Sequence, residues 1–392
     1  NIDNPKVLLE IKNLKIFISQ GNLFNKQKIE IKSVLINNAN FSIQSKDFSF
    51  FQKLFNQKFS SKKIKIKSSN VFLKDSTNET LLINRIKKIN LYNDKKNSLN
   101  IINLDGEIFN TPFTLKFTKD LENKNNITLV KSQKLKLKYN NNSTSKKKIT
   151  NGLSKISILN SKLNTKYELR KKKLSFKSSN SKLFNSGLEY EGLLNLDPFD
   201  LNLIVDLEKI NLKKIFDSDS FFFDLLRSKE LFNSNLSVNI NLNSPNILDH
   251  RILKDLKLIF NIKDEIIDFD KSSFLVDKIG KLTLENSSLT YSDTQLVFFG
   301  DFNLNIKNHI KFFNFIQTPK KDRKPIKNIN FSLDFNFQEN QFALKNININ
   351  NVNSNLKKDN NLDNFTLKKD NQGINSIEFK NIVNEIINSY DG

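Results

Sequence analysis

The chain has 392 residues, a formal net charge of +22 and no cysteine. Without cysteine it can hold no disulfide, thiolate zinc site, iron–sulfur cluster or cysteine nucleophile. Hydrophobic residues make up 38% of the chain and include 35 Phe, which is enough for extensive burial and argues against general disorder.

The basic charge comes almost entirely from lysine, with 58 Lys against 5 Arg, and Asn is equally abundant at 62 residues. This is the composition that AT-rich codons produce, so the charge is weaker support for an anionic partner than it would be elsewhere. The basic runs Lys146–Lys148, Arg170–Lys173 and Lys320–Lys327 can attract phosphate groups, but solvated strand edges are the simpler interpretation. With few Arg and no recognisable reader module, we expect no specific nucleic-acid partner.

Large apolar residues alternate with Lys, Asn, Ser or Thr along most of the chain, which is the period of a β-strand with one dry face. Clear examples are Leu236 to Leu242, Leu256 to Ile262 and Phe331 to Phe337. Asn-, Asp- and Ser-rich turns separate these runs. The pattern predicts a mainly β fold, an elongated and curved antiparallel sheet with the form of a groove, carrying a few short amphipathic helices.

Three stretches show helical spacing instead, and two polar stretches show no period. We therefore predict the following organisation: 1–139, an N-terminal β region with a short helix at 48–56; 140–151, a polar linker or long loop; 152–350, a second β region with a helical insert at 212–232; 351–373, a polar loop; and 374–390, a C-terminal amphipathic helix.

A short pattern of Gly, five residues, Pro and Phe occurs twice, at Gly106 to Phe117 and at Gly192 to Leu203. In each copy alternating apolar residues follow the Pro-Phe pair. We interpret the pattern as a hairpin in which Gly tolerates a bulge and Pro fixes the turn.

Residues with catalytic potential are sparse. The two histidines, His250 and His309, lie beside polar turn residues without a partner at ligand spacing. The carboxylates Asp264, Glu265, Asp268 and Asp270 offer oxygen ligands, but they lack the glycine of an EF-hand loop, so a solvated hairpin is the simpler interpretation. No phosphate-binding loop, dinucleotide fingerprint or nucleophile elbow is present. We expect no enzymatic activity and no cofactor.

The order of these features resembles the AsmA-like family of bacterial envelope proteins. Asn40 to Gln44, the short Phe-rich helix and Lys63 to Asp75 are similar to the strand, small helix and strand that open that family's fold. The Gly106 and Gly192 repeats, and later runs such as Phe299 to Leu304, are similar to its later strands.

The resemblance implies a periplasmic protein, anchored in the inner membrane, whose apolar β-groove shields lipid acyl chains in phospholipid transport or outer-membrane biogenesis. Its partners would be phospholipid or another lipid and other envelope proteins. No run of about 18 apolar residues and no signal sequence is visible. We therefore expect the membrane anchor to lie outside this sequence, which begins at Asn1 and would be a mature form or a fragment.

Two sets of residues follow from this interpretation. The terminal helix would cap the groove or touch a membrane or partner, although packing on the sheet edge explains its apolar stripe equally well. The candidate stripe residues are Phe379, Ile382, Val383, Ile386 and Ile387. The candidate groove-lining residues are Leu115, Phe117, Leu201, Leu203, Val205, Leu258, Phe260, Leu304, Phe335 and Phe337.

Other interpretations remain open, because alternation reports burial and not what lies opposite a strand. The main alternative is a structural or adhesive β-sandwich or solenoid at the cell surface, with closed apolar faces and no ligand. A third is a protein that binds phosphate backbones through its net charge.

Overall fold

A computed structural model gives the fold, with strands taking up 68% and helices 10% of the structure. The prediction of a mainly β fold with few, short helices is confirmed. The residues that the structure describes are 9–19, 30–44, 47–74, 80–108, 110–215, 220, 226–229, 231–248, 252–292, 295–339, 341–350, 352–353, 365–368 and 376–388.

The chain divides into two compact units. The first unit contains residues 1–171 and 176–185, and the second contains residues 172–175 and 186–392. The predicted boundary at 140–151 is therefore wrong, because the division falls about twenty to forty residues later, around a short strand at 173–178.

The first ten strands of the first unit pair in the order of the sequence, and the twelfth strand pairs back with the tenth. Among these ten strands, all neighbouring pairs are antiparallel except the second with the third, which is parallel. Its elements are β1 (Leu9–Ile18), β2 (Ile31–Gln44), α1 (Phe48–Asn56), β3 (Lys63–Lys74), β4 (Thr80–Asp94), β5 (Leu99–Ile108), β6 (Thr111–Asp120), β7 (Asn125–Ser132), β8 (Leu137–Lys146), β9 (Ile149–Ile158), β10 (Ser161–Arg170), β11 (Lys173–Ser178, which spans the division) and β12 (Ser181–Leu183).

The parallel pair needs a crossover connection, since a tight turn can join only antiparallel strands. Helix α1 is part of that crossover, at the position where the sequence predicts a helix. The chain that follows the helix is fastened by Asn100 of β5, a fully buried residue. Its side-chain amide donates to the Gln57 carbonyl oxygen at 2.7 Å and accepts from the Phe59 amide at 2.9 Å.

The second unit has the same sequence of connections: a hairpin, a crossover with a short helix, and an antiparallel meander. Here the parallel pairs are β14 with β16 and β15 with β16. Its elements are β13 (Ser186–Leu196), β14 (Phe199–Leu207), β15 (Lys209–Ile210), α2 (Leu212–Ile215), β16 (Ser237–Ile247), β17 (Leu253–Lys263), β18 (Ile266–Asp268), β19 (Ser273–Val276), β20 (Gly280–Ser292), β21 (Gln295–Ile306), α3 (His309–Ile316), a 3₁₀ turn (Lys320–Asp322), β22 (Asn328–Asn336), β23 (Gln341–Ile349), β24 (Val352–Asn353), β25 (Phe365–Lys368) and α4 (Ser376–Asn388).

The predicted polar linker at 140–151 is instead a β-hairpin formed by β8 and β9. Its Asn-rich strand pairs with β9 along its whole length and with β7 from Leu137 to Thr144. Side-chain bonding also stabilises it, because Tyr167 donates its hydroxyl to Asn141 Oδ1 at 2.9 Å. A strand with polar residues on both faces shows no alternation, so the sequence pattern missed it.

The remaining predicted segments are partly described. Within the expected loop at 351–373, β24 and β25 are strands, and the rest lies outside the described residues. The helical insert at 212–232 begins with α2, and residues 226–227 are also helical, whereas 216–219, 221–225 and 230 lie outside the described residues. The C-terminal helix is α4.

The two copies of the Gly-Pro-Phe pattern both fall in hairpins, but not at equivalent positions. Pro198 lies in the turn between β13 and β14, as expected, whereas Pro112 lies within β6 and pairs with Glu107. The expected role of Pro112 in the turn is therefore wrong. Gly106 lies opposite a register shift between Ile86 and Lys88, but the extra residue is in β4 and not in the strand that carries the glycine. Gly192 pairs with Leu203 in regular register, so the expected bulge is absent from both glycine-bearing strands.

Candidate functional site

An unbroken row of apolar residues crosses ten neighbouring strands of the first unit. Directly paired residues project from the same face of a sheet, so the register alone aligns these side chains. At a strand spacing of about 4.8 Å the row is about 43 Å long. This first apolar row consists of Leu14, Ile36, Ile66, Ile89, Leu104, Leu115, Val130, Tyr139, Ile156 and Leu163.

A parallel row beside it is apolar over only part of its length. Ile64, Leu91, Ile102 and Phe117 pair in register, but the row continues through Thr128, Asn141, Ser154 and Thr165. Phe117 contacts the ring of Phe55 on α1, at 6.4 Å between centroids, so the crossover helix lies on this face. The apolar surface of the first unit is therefore wider across β3–β6 than across β7–β10.

The opposite face of the same strands carries a mostly polar row. This row consists of Lys65, Asn90, Asn103, Lys116, Leu129, Asn140, Lys155 and Asn164, with Leu129 the one apolar member. The next row on that face is mixed, because it includes Tyr92, Ile101, Ile127 and Leu153. The first apolar row and the polar row thus lie on different faces of the sheet across many strands, which single-strand alternation cannot by itself establish.

A corresponding row crosses eight strands of the second unit. Its flanking residues, including Leu201 and Phe335, are half-buried, whereas the central residues are at most 2% exposed. This second apolar row consists of Leu194, Leu201, Val238, Ile262, Ile267, Leu289, Phe298 and Phe335.

The centre of the second row is covered by residues that precede β16. Leu226 is 1% exposed and packs with Ile262, Ile267 and Leu289 in one cluster. Its carbonyl oxygen accepts a hydrogen bond from the Tyr291 hydroxyl at 3.1 Å, and the ring of Phe232 meets that of Tyr291 edge to face at 5.0 Å. Burial raises the pKa of the Tyr291 hydroxyl, while the charge of Arg227 acts in the opposite direction.

Beside this cover lies an apolar cavity of about 290 Å³. Leu226, Leu258, Phe269, Leu284, Phe302 and Phe337 contribute to its wall, and Ser272, Ser273 and Thr283 are its hydroxyl-bearing members. Phe269, Phe298 and Phe302 form a chain of ring contacts at 6.1 and 6.4 Å along it. An apolar cavity of about 150 Å³ is already large enough to take up benzene, so this one suits a flexible hydrocarbon.

Helices α3 and α4 close another part of the apolar face of the second unit. Ile386 and Ile387 of α4 are buried together with Phe313 and Ile316 of α3 and with Ile329 of β22. Asn384 donates to the Ile316 carbonyl oxygen at 2.9 Å and bonds the Thr318 hydroxyl at 2.6 Å, which fixes α4 on α3.

The candidate residues of the terminal helix can be placed accordingly. Ile386 and Ile387 are core residues, and Val383 packs against the same cluster, so these three pack within the unit instead of contacting a membrane. The side chains of Phe379 and Ile382 lie outside the described residues. Of the two roles considered for the helix, packing against the sheet is the one the structure supports.

All ten candidate lining residues are half-buried and lie on the apolar faces. Leu115, Leu201 and Phe335 belong to the two rows, and Phe117 lies in the row beside the first. In the second unit, Leu203 and Phe260 both pair with Ile240, and Val205 and Leu258 both pair with Leu242. Leu304 packs against the cluster of α3 and α4, and Leu258 and Phe337 line the cavity.

Several residues of the first apolar row and of the cavity were not among the candidates selected from the sequence. Leu104 and Val130 of the first row were not selected, nor were Leu284, Phe298 and Phe302 of the cavity. For Phe298 and Phe302, the alternating spacing Phe298-x-Gly300-x-Phe302 indicates that both rings project from the same face of a strand. Leu226 belongs to the helical insert predicted at 212–232, but its position over the second row could not be predicted because it depends on the crossover.

The other polar candidates form no reactive centre. His309 is exposed at the start of α3, and His250 lies outside the described residues. Asp264 and Glu265 form the turn between β17 and β18, Asp268 accepts from Asn261 at 2.8 Å, and Asp270 accepts from Ser287. In the described part of the chain, no three His, Asp or Glu side chains are grouped so that they could hold a metal ion.

No helix among the described residues combines the length and apolar character needed to cross a bilayer. No protein-family model, curated protein or solved structure matches the chain. The AsmA-like resemblance, the envelope location and the absence of enzymatic activity therefore stay predictions.

Proposed function

We propose that the chain binds the acyl chains of lipids along its apolar faces and shields them from water. The observation that carries this proposal is the first apolar row, whose members line up in register across ten strands and yet are mostly only half-buried. The candidate lining residues of the second unit have the same intermediate burial.

Half-burial matters because apolar surface left in water is unfavourable by about 25 cal/mol per Å². In an ordinary β-sandwich a second sheet covers such a face. Here the described strands of each unit pair edge to edge within one sheet, and no separate sheet of described strands packs over them. A hydrocarbon ligand can supply the missing cover.

The energetic benefit to a lipid is large. A phospholipid with two long chains exposes roughly 30 methylenes on passing through water, at about 0.8 kcal/mol each, so the barrier exceeds roughly 20 kcal/mol. A row of apolar side chains removes most of that barrier without any reactive group. The cavity in the second unit, with its Leu and Phe walls, is a place where one chain end can be enclosed.

This mechanism agrees with the resemblance to the AsmA-like family. We accordingly propose a role in phospholipid transport or outer-membrane biogenesis at the bacterial envelope, with phospholipid and other envelope proteins as partners. The location is the periplasm, and the mechanism is passive shielding.

One observation favours the alternative of a closed structural module. Ile262, Ile267 and Leu289, at the centre of the second row, are fully covered by the residues around Leu226. Those side chains act as ordinary core, so the lipid-binding proposal rests on the half-buried residues on either side of them.

A pair of adjacent residues on β14 provides the test. Leu203 lies on the apolar face opposite Ile240, whereas Ile204 points to the other face and is 44% exposed. We expect Leu203→Glu to weaken binding of a fluorescent fatty acid by at least about tenfold, because a carboxylate would replace apolar contact. Ile204→Glu should bind like the wild type.

Fluorescence titration, with far-ultraviolet circular dichroism to confirm the fold, distinguishes the outcomes. Equal affinities for the two variants, or no binding by the wild type, would contradict the proposal. If Leu203→Glu does not fold, Leu203→Asn tests the same contact without a charge.

A further inference from the structure

Two basic segments that are separate in the sequence lie side by side at one end of the first unit's sheet. Lys147 and Lys148 form the turn between β8 and β9, and β10 ends at Arg170 with Lys171 immediately after it. The register joins them, because Ile149 pairs with Lys146 on one side and with Arg170 on the other. Five cations therefore occupy three consecutive strand ends.

These cations are exposed, and the described residues give four of them no ionic partner. Only Arg170 has one, with Glu168 at 2.6 Å. Lys146, Lys147, Lys148 and Lys171 take part in no ion pair among the described residues. Ion pairs with described residues therefore leave most of the positive charge of the cluster unneutralised.

Besides Glu168, the adjoining turn between β6 and β7 also brings negative charge close to the cluster. Its Lys124 carbonyl oxygen accepts from the Ser145 amide at 3.0 Å, so it lies next to the end of β8. The turn carries Asp120 and Glu122 together with Lys119 and Lys124. Asp120 is occupied within its own turn by Asn123 and by the Glu122 amide, which hold the pKa of its carboxyl below the ordinary range.

The backbone conformation at Lys147 and Lys148 is strained for lysine. Lys147 and Lys148 both have positive φ, at 46° and 67°. Asn-Gly is the usual sequence in such two-residue turns, because other L-residues are strained there. Lysine occupies eight of the positive-φ positions among the described residues and asparagine seven, so lysine at such positions is common in this chain.

We propose that this five-cation cluster docks on a membrane surface that carries anionic phospholipid headgroups. The strands that bear it also carry Tyr139, Ile156 and Leu163, the last members of the first apolar row, seven or eight residues away along each strand. The row would thus lie about 23 Å from a membrane docked at the cluster, at about 3.3 Å per residue. The positive charge of the cluster complements the negative charge of such headgroups. Nucleic acid fits less well, because the cluster has one Arg and no aromatic ring on which a base could stack.

Strand β8 offers a matched control. Its other end begins after a turn that contains Lys134 and Lys136, both exposed. Lys134→Asn with Lys136→Asn removes the same charge as Lys147→Asn with Lys148→Gly, but from the opposite end of the strand. The second double variant also installs the preferred turn sequence, so it should fold at least as well as the wild type.

The experiment is co-sedimentation with vesicles of phosphatidylcholine alone or of equal parts phosphatidylcholine and phosphatidylglycerol. We expect binding to the mixed vesicles only, weakened about 25-fold in the 147/148 variant, since each lysine near an anionic surface contributes about fivefold. The 134/136 variant should bind like the wild type. Duplex DNA is tested in parallel.

Equal losses in both double variants, equal binding to both vesicle compositions, or binding to duplex DNA without binding to vesicles would each overturn the proposal. Acyl-chain binding is measured separately with a single fatty acid in solution. A failure of membrane docking is therefore distinguishable from a failure of the proposed function.

Discussion

At the scale of single residues, Gly280 shows how closely two strands of the second unit approach. A Cβ atom at this position would lie 1.9 Å from the backbone carbonyl oxygen of Asn305 in β21. A main-chain atom cannot rotate away as a side chain can, so any larger residue must push the strands apart. Gly280 starts β20 beside Ile279 and Ile306, both core residues under α3.

We predict that Gly280→Ala lowers the free energy of unfolding by about 3 kcal/mol, through strain in the β20–β21 pair. Gly187→Ala is the matched control, because its Cβ would meet nothing closer than Glu208 Oε2 at 3.4 Å. Urea denaturation followed by circular dichroism measures both. Similar midpoints for the two variants would mean that the strands at Gly280 can separate without cost.

At the scale of elements, the residues around Leu226 cover the second apolar row through a contact that involves the Tyr291 hydroxyl. Burial raises the pKa of this hydroxyl, so the folded state favours its neutral form. The resulting stabilisation is present below the ordinary Tyr pKa of about 10 and is lost as the pH rises through the raised value.

We predict that Tyr291→Phe costs about 1 kcal/mol of stability at neutral pH, because the hydrogen bond to Leu226 is lost. The difference from the wild type should shrink as the pH rises past about 10, where only the wild type has this hydroxyl to ionise. Denaturation midpoints at neutral and alkaline pH provide the measurement. A difference that stays constant or grows with pH would mean that Tyr291 does not stabilise this cover.

The elements differ in how well the sequence predicts them. Alternation finds strands with one apolar face, such as β17 and β22, and helical spacing finds α1 and α4, because both signals depend only on neighbouring residues. Strand β8 escapes detection since Asn140, Asn141 and Asn142 occupy both of its faces. The parallel pairs escape because they depend on the crossovers, and a strand carries no local mark of its partner's direction.

The residues of the candidate site also differ in how well the sequence predicts them. The ten lining residues could be selected one strand at a time, and all of them lie on the apolar faces. Their alignment could not be predicted, because a shift of one residue in any pair would break a row that crosses many strands. The position of Leu226, which depends on distant contacts, was equally inaccessible.

At the scale of the whole molecule, each unit combines a crossover helix with an apolar row on one face of its sheet and a mostly polar row on the other. In the second unit, Asn202, Asn239 and Asn261 pair in register on that polar face. Asn241 donates to Asn239 at 2.8 Å there, so the amides satisfy one another as well as facing water. Each unit thus places many of its Asn and Lys residues on the face of the sheet opposite its apolar row.

We propose that the apolar faces of the two units hold lipid. Native mass spectrometry with lipid extraction, on protein purified from a bacterial host, tests it most directly. Phe335 and Phe337 are suitable residues to change, because their rings meet at 4.6 Å and Phe337 lines the cavity. We expect phospholipid to co-purify with the wild type, and none with the Phe335→Glu, Phe337→Glu variant, whose β circular-dichroism spectrum should stay intact. A wild-type protein free of lipid, or a folded variant that retains it, would show that these apolar faces do not bind lipid.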